Sequence, residues 1–210
     1  PTLDLFVKYT DQGLFGNPKT DKELGEFLQS SLTFLASGYF DLARYSNNDP
    51  QLFSKASDTF KDMVQRYPPS PDAARWQYQA GESYFAMGDY RKALAEYEKI
   101  LAINSRHESA ADSLYAMATC YQYIASETTD PVKKRELEQK VFDLNEKLAN
   151  EYPISEYAAD AYVNVANNYY NQAVSVTDPA KQKELYKRAI ELYKKALTLP
   201  GIKAESKAIA

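Results

Sequence analysis

The sequence predicts an all-α chain built as about four helical hairpins in tandem, and three observations predict it. Residues 74–107 place Gly81, Tyr84, Gly88-Asp89-Tyr90, Ala93, Tyr97 and Ile100 at spacings that suit two helices folded back on each other. Two unrelated segments recur at one offset: Thr129-Asp130-Pro131-x-Lys133-x2-Glu136-Leu137 returns as Thr177-Asp178-Pro179-x-Lys181-x2-Glu184-Leu185, and Ala110-Ala111-Asp112 returns as Ala158-Ala159-Asp160, each 48 residues on. A constant offset across different elements is what tandem duplication produces. Finally, the chain has only 7 Gly and little Val/Ile alternation, which disfavours sheets, while its 18 Tyr supply rings to fill gaps between helices.

In the stretch 74–107, Gly81 is a small residue on a helix face, with Tyr84 one turn on to cover the gap. Gly88-Asp89 turns the chain, Ala93 admits the second helix, and Tyr97 and Ile100 seal the far end. This small-x2-Tyr, Gly-Asp-Tyr-x2-Ala-x3-Tyr pattern resembles the tetratricopeptide (TPR) repeat, a helix–turn–helix unit of about 34 residues. The resemblance implies a right-handed α-solenoid whose first helices line a concave face.

Taken in order, residues 1–20 read as a short helix and loop, anchored by Leu3, Phe6, Val7 and Leu14 and broken by Gly13, Gly16, Asn17 and Pro18. Thr20-Asp21-Lys22-Glu23 has the form of a capping box, its Thr hydroxyl closing the helix start. A long helix follows to about Tyr45, with Leu24, Phe27, Leu28, Leu32, Leu35, Ala36 and Tyr39 on one side. Asp49 then caps a helix that opens with Pro50 and carries Ala56, Phe60 and Met63 inward, closing repeat one at 21–68. Repeat two spans 74–107. Repeat three, 111–153, carries the pair Ala118 and Tyr121, then Leu137, Val141, Leu144 and Leu148 on its second helix. Repeat four, 159–200, carries Ala166 and Tyr169, then Ala189, Tyr193 and Ala196, so the solenoid is expected over 21–200. Residues 201–210 read as the start of a further repeat or a capping helix, since terminal repeats need a polar cover.

Composition excludes several classes. Formal net charge is −4, which leaves no basic footprint for nucleic acid. No run approaches the roughly 18 apolar residues of a membrane-spanning helix. One His and one Cys cannot make a zinc set, and neither a Ser-His-Asp arrangement nor a Gly-rich phosphate loop can be assembled. His107 reads as a solvated loop residue and Cys120 as a small buried hydrophobe; Glu96 and Glu98 fall on different helix faces. The chain is expected to be no enzyme and to hold no cofactor and no metal. A chain opening at Pro1 without an initiator Met reads as a mature product or an excised segment.

The positive signal is a surface. If the small-x2-Tyr pairs point into the stack, a neighbouring stripe at i, i+3, i+7 and i+10 faces the groove. In repeat two that stripe is Arg75, Tyr78, Glu82 and Phe85. In repeat three it is Asp112, Tyr115, Thr119 and Gln122, with Tyr123 adjacent. In repeat four it is Asp160, Val163, Asn167 and Tyr170, with Asn171 adjacent, and repeat one offers Ser30, Thr33, Ser37 and Phe40. Aromatic anchors among polar residues suit a partner peptide or helix; the competing reading is that these rings pack against adjacent helices. Co-chaperones of the TPR family grip acidic C-termini with groove Lys, Arg and Asn, but Tyr78, Tyr115 and Val163 stand where Lys is expected and only Asn167 fits.

The joints carry a second resemblance. Tyr67-Pro68-x-Ser70-x2-Ala73-Ala74 is echoed by Tyr152-Pro153-x-Ser155-x2-Ala158-Ala159. Such joints resemble those of bacterial envelope TPR proteins of the outer-membrane assembly lipoprotein and Tol-Pal coordinator type. That resemblance implies a periplasmic or envelope location, with the cytoplasm left open because Tyr-Pro also closes repeats in cytoplasmic relatives. The expected function is a non-catalytic protein–protein interaction scaffold holding a partner peptide or helix in its concave groove. The alternative is an architectural spacer or self-association module within a longer array.

Overall fold

Three helix starts in this chain are set by Asp-Pro pairs. Asp49, Asp130 and Asp178 each turn a carboxylate back to accept the backbone N–H two residues on, from Gln51, Val132 and Ala180 at 2.8, 2.9 and 2.9 Å. The Pro that follows has no N–H to waste in the first turn and a φ already suited to a helix. The computed structural model describes residues 2–68, 70–104 and 109–199. Among them it is all-α, with α1 (Thr2–Asp11), α2 (Lys22–Tyr45), α3 (Pro50–Arg66), α4 (Ala73–Ala86), α5 (Tyr90–Asn104), α6 (Ser109–Glu127), α7 (Pro131–Glu151), α8 (Ala158–Ser175) and α9 (Pro179–Thr198). The expected tail helix at 201–210 and the loop around His107 lie outside the described residues.

Contacts divide the chain into two compact units, Pro1–His107 and Glu108–Ala210. In the first, α2 pairs with α3 and α4 with α5, and α3 packs on α4. Its core joins Leu28, Leu32 and Ala36 of α2 to Ala56, Phe60 and Met63 of α3 and Ala73, Trp76 and Ala80 of α4. In the second, α6 pairs with α7 and α8 with α9, and α7 packs on α8, burying Leu114, Ala118 and Cys120 with Leu148, Ala158 and Ala166. Each unit thus stacks two hairpins in the manner of an α-solenoid.

The repeated joints fold alike. At Tyr67 the backbone N–H reaches Met63, Ser70 N–H reaches Tyr67 and Ala73 N–H reaches Ser70, at 2.9, 2.9 and 3.1 Å. At Tyr152 the same ladder runs to Leu148, Tyr152 and Ser155 at 3.0, 3.0 and 3.1 Å. Pro68 and Pro153 cannot continue the helix before them, and each Ala pair beyond is buried, so the next helix can approach closely.

Several expectations are corrected. Asp21, not Thr20, caps α2, accepting from Leu24 N–H at 3.1 Å; the carboxylate outcompetes the hydroxyl as an acceptor for an exposed helix start. Leu14 is 66% exposed and Phe27 56% exposed rather than core residues. Phe27 instead meets Phe6 edge-on at 4.8 Å on the outer side of α2. α1 packs Phe6 and Val7 against the core and adds polar ties: the Arg66 guanidinium forks onto Asp11 at 2.6 and 2.8 Å, and Tyr39 donates to Asp4 at 2.5 Å.

Gly81 is required, but for a contact other than the one expected. Tyr97 lies across it: a Cβ built at Gly81 falls 2.4 Å from Tyr97 Cε1 and 2.7 Å from Cδ1. Tyr84 turns the other way, where its hydroxyl accepts from Lys61 Nζ at 2.9 Å and ties α4 to α3. Tyr97 is fully buried, so its ring cannot retreat. Alanine at Gly81 gains about 1 kcal/mol in helix propensity but overpacks at a cost of about 1–3 kcal/mol. Gly81→Ala is therefore expected to lower the urea midpoint, and a midpoint at or above the parent's contradicts this packing.

Candidate functional site

Between the first helices of consecutive hairpins each unit opens a cleft with polar walls. In the first unit the cleft has a volume of about 450 Å³ and lies between α2 and α4 over α3, lined by Thr33, Ser37, Phe40, Asp41, Arg75 and Gln79 among others. In the second it holds about 540 Å³ between α6 and α8 over α7, lined by Gln122, Ser126, Asn164, Asn167, Asn168 and Asn171, with Phe142 and Asn145 contributed by α7. A third, smaller cavity of about 210 Å³ sits among α7, α8 and α9, where Arg188 and Lys195 lie over the rings of Tyr169 and Tyr162 at 5.7 Å each.

The expected groove residues divide between clefts and packing. Arg75 is exposed in the first cleft, together with Thr33, Ser37 and Phe40 of repeat one. Asn167 and Asn171 line the second. The aromatic members are engaged within the fold: Tyr78 lies 5.5 Å from Tyr97, Phe85 meets Tyr90 edge-on at 5.4 Å, and Tyr170 lies 5.6 Å from Tyr186. Tyr115 stacks on Tyr157 at 4.3 Å with planes 17° apart. Glu82 accepts from the Tyr97 hydroxyl at 2.6 Å. Thr119 donates to the Tyr115 carbonyl at 3.0 Å, and Tyr123 is 45% exposed. Val163 is buried, so the face of α8 that meets the cleft is turned by one residue from the expected stripe.

That turned face is an amide row. Asn164, Asn167, Asn168 and Asn171 fall at i, i+3, i+4 and i+7 and so share one side of α8. Three of them are held by neighbours. Asn164 donates to Asn145 Oδ1 at 3.1 Å, and Asn145 is itself tied to the Val141 carbonyl at 2.8 Å. Tyr193 donates to Asn167 Oδ1 at 2.6 Å, and Gln172 donates to Asn168 Oδ1 at 2.5 Å. Each Asn in a helix forgoes up to about 0.7 kcal/mol relative to Ala, so the row costs roughly 2–3 kcal/mol of intrinsic helix stability. Asn167 and Asn171 were expected at the groove; Asn164 and Asn168, on the same side of α8 by their spacing, were not.

The tyrosines respond to their surroundings. Tyr157 is pushed up to about 12, first by burial and then by the nearby carboxylates of Asp112 and Glu156. Tyr39 is pushed up to about 12 by burial and by its hydrogen bond to Asp4. Among the described residues no His/Cys/Asp/Glu group has the arrangement of a metal site, and no helix is long and apolar enough to cross a membrane.

A model of the family YfiO, outer membrane lipoprotein, matches residues 43–195. No curated protein matches the chain. Among solved structures, a thermophilic TPR protein of Thermus thermophilus is similar with a TM-score of 0.48 and 15% identity, over 86% of this chain and 95% of that one.

Two outcomes are expected. A double-mutant cycle on Tyr115→Ala and Tyr157→Ala should give a coupling of about 0.5–1.5 kcal/mol in urea denaturation, because stacked rings interact beyond their buried area. A value near zero removes the stack from the stabilising contacts. Folding raises the pKa of Tyr39 and Tyr157 above the unfolded value near 10, so it favours their protonated forms. Their contribution is complete below about pH 10 and is lost between pH 10 and 12. Tyr39→Phe with Tyr157→Phe should flatten that alkaline fall in unfolding free energy; an unchanged slope assigns the fall to other groups.

Proposed function

Since the chain belongs to the YfiO outer membrane lipoprotein family, we propose that it is a protein–protein interaction scaffold of the bacterial envelope. The clefts between successive first helices receive a segment of a partner protein. The observation that carries this reading is that both units open such a cleft at the same place in their architecture, between α2 and α4 and between α6 and α8. The rings that fill the hairpins are committed elsewhere. Thr33, Ser37 and Arg75 in the first cleft and Gln122, Asn167 and Asn171 in the second are expected groove residues that line it; Tyr78, Glu82, Phe85 and Tyr115 shape the helices that bear them. Open polar clefts flanked by small apolar areas suit recognition of a peptide or helix, in which a few oriented polar groups set register. TPR-like families are scaffolds in general, which agrees with a binding role for these clefts.

The second reading, a spacer or self-association module, makes a different forecast for the same experiment. A photoreactive residue placed at Thr33 or at Asn171 should cross-link in living cells to a discrete envelope protein. The same residue at Glu98 or Lys187, exposed on second helices, should not. Adducts with other copies of this chain alone favour self-association. Equal labelling from all four positions overturns cleft recognition.

A further inference from the structure

We propose that the cleft between α6 and α8 binds an extended, uncharged polypeptide segment by hydrogen-bonding its main chain through the amide row of Asn164, Asn167, Asn168 and Asn171. The proposal rests on the scaffold reading above and names the ligand chemistry of one of its clefts. A carboxamide carries the same C=O acceptor and N–H donor as a peptide group, so it can pair with a backbone at both atoms; a hydroxyl, carboxylate or ammonium cannot do so in that geometry. Four carboxamides on one helix face, with Gln122 across the cleft on α6, make a surface that reads peptide groups rather than charges. The charged side chains in the lining are Lys134 and Glu138, one of each sign, so the cleft carries no net preference for an acidic or basic segment.

Amides one turn apart on α8 lie about 5 Å apart along the axis, against about 6.7 Å between same-facing peptide groups of a strand. Adjustable Asn side chains can bridge that difference for a neighbouring pair, so a strand laid along α8 meets the row two peptide groups at a time. The row is also oriented beforehand. With Asn167 and Asn168 accepting through Oδ1 from Tyr193 and Gln172, their Nδ2 groups are the atoms offered, and they match backbone carbonyls. Holding a polar group in place before binding reduces the entropy lost on association. Side chains of the segment would meet Ala125, Val141 and Phe142, a modest apolar floor that favours small or β-branched residues.

The test uses the full chain and a neutral, end-capped heptapeptide of Ser, Val, Gln and Gly, followed by nitrogen–proton spectra of side-chain amides. Saturable shifts are expected at Asn167, Asn168 and Asn171. Replacing alternate peptide groups by (E)-alkene isosteres, which deletes backbone carbonyls without adding charge, should weaken binding at least tenfold. Asn168→Leu with Asn171→Leu should do the same, and raising the salt concentration should change little. Equal affinity for the alkene-substituted peptide overturns main-chain recognition without depending on any variant's folding. Shifts confined to residues outside the cleft also overturn it, as does tighter binding of a neutral hexasaccharide at the same amides, which makes the row a glycan site. If the heptapeptide fails while Asn171 still cross-links to a partner in cells, only this inference falls; if both fail, the scaffold reading falls with it.

Discussion

Everything in this chain depends on how closely the two helices of a hairpin approach. At Gly81 the second helix lays the Tyr97 ring directly over a backbone with no side chain, nearer than any Cβ would permit. Elsewhere Ala does the same service: Ala36, Ala118 and Ala166 on first helices, and Ala56, Ala93 and Ala189 on second helices, are all buried. Such close contact leaves room for one large ring or aliphatic group per turn. Its polar tip must then find a partner, as the Tyr97 hydroxyl does in Glu82. This is why a helical chain of this kind can carry so many tyrosines.

The clefts are a consequence of that approach together with the Tyr-Pro joints. Each joint stops a second helix, spends three backbone hydrogen bonds on a tight turn and starts the next first helix with an Ala pair. The second helix, α3 or α7, is therefore wedged beneath the two first helices that flank it, which stand apart above it. The space above the wedge is the cleft. Its floor comes from the second helix, as with Phe60 in one unit and Phe142 in the other, and its walls come from the polar sides of the first helices.

The architecture was readable because its determinants are local and repeated. Asp-Pro caps, small-x2-Tyr pairs and Tyr-Pro joints each impose their geometry within a few residues, and the constant 48-residue offset fixed their register. The faces were harder. One residue of phase turns a helix by about 100°. Of the expected α8 stripe, Val163 therefore points into the core while Asn167 and Asn171 reach the cleft. Nothing local sets that phase; it follows from where α7 presses on α8. Aromatics are ambiguous for a related reason. Tyr115 and Tyr78 carry hydroxyls and large rings, so a sequence reads them equally well as anchors for a partner or as filler, and the stacking partners Tyr157 and Tyr97 are far along the chain.

Magnitudes then say what kind of binding such a cleft supports. A neutral hydrogen bond contributes about 0.5–1.5 kcal/mol net in water, and ordering two partners costs several kcal/mol or more. Four amides alone therefore leave little surplus. Burying the modest apolar floor at ~25 cal/mol per Å² adds about 2 kcal/mol, which keeps such binding weak. The amides then set register and direction, and amides and floor share the affinity. A segment bound that way exchanges readily, because no single contact dominates.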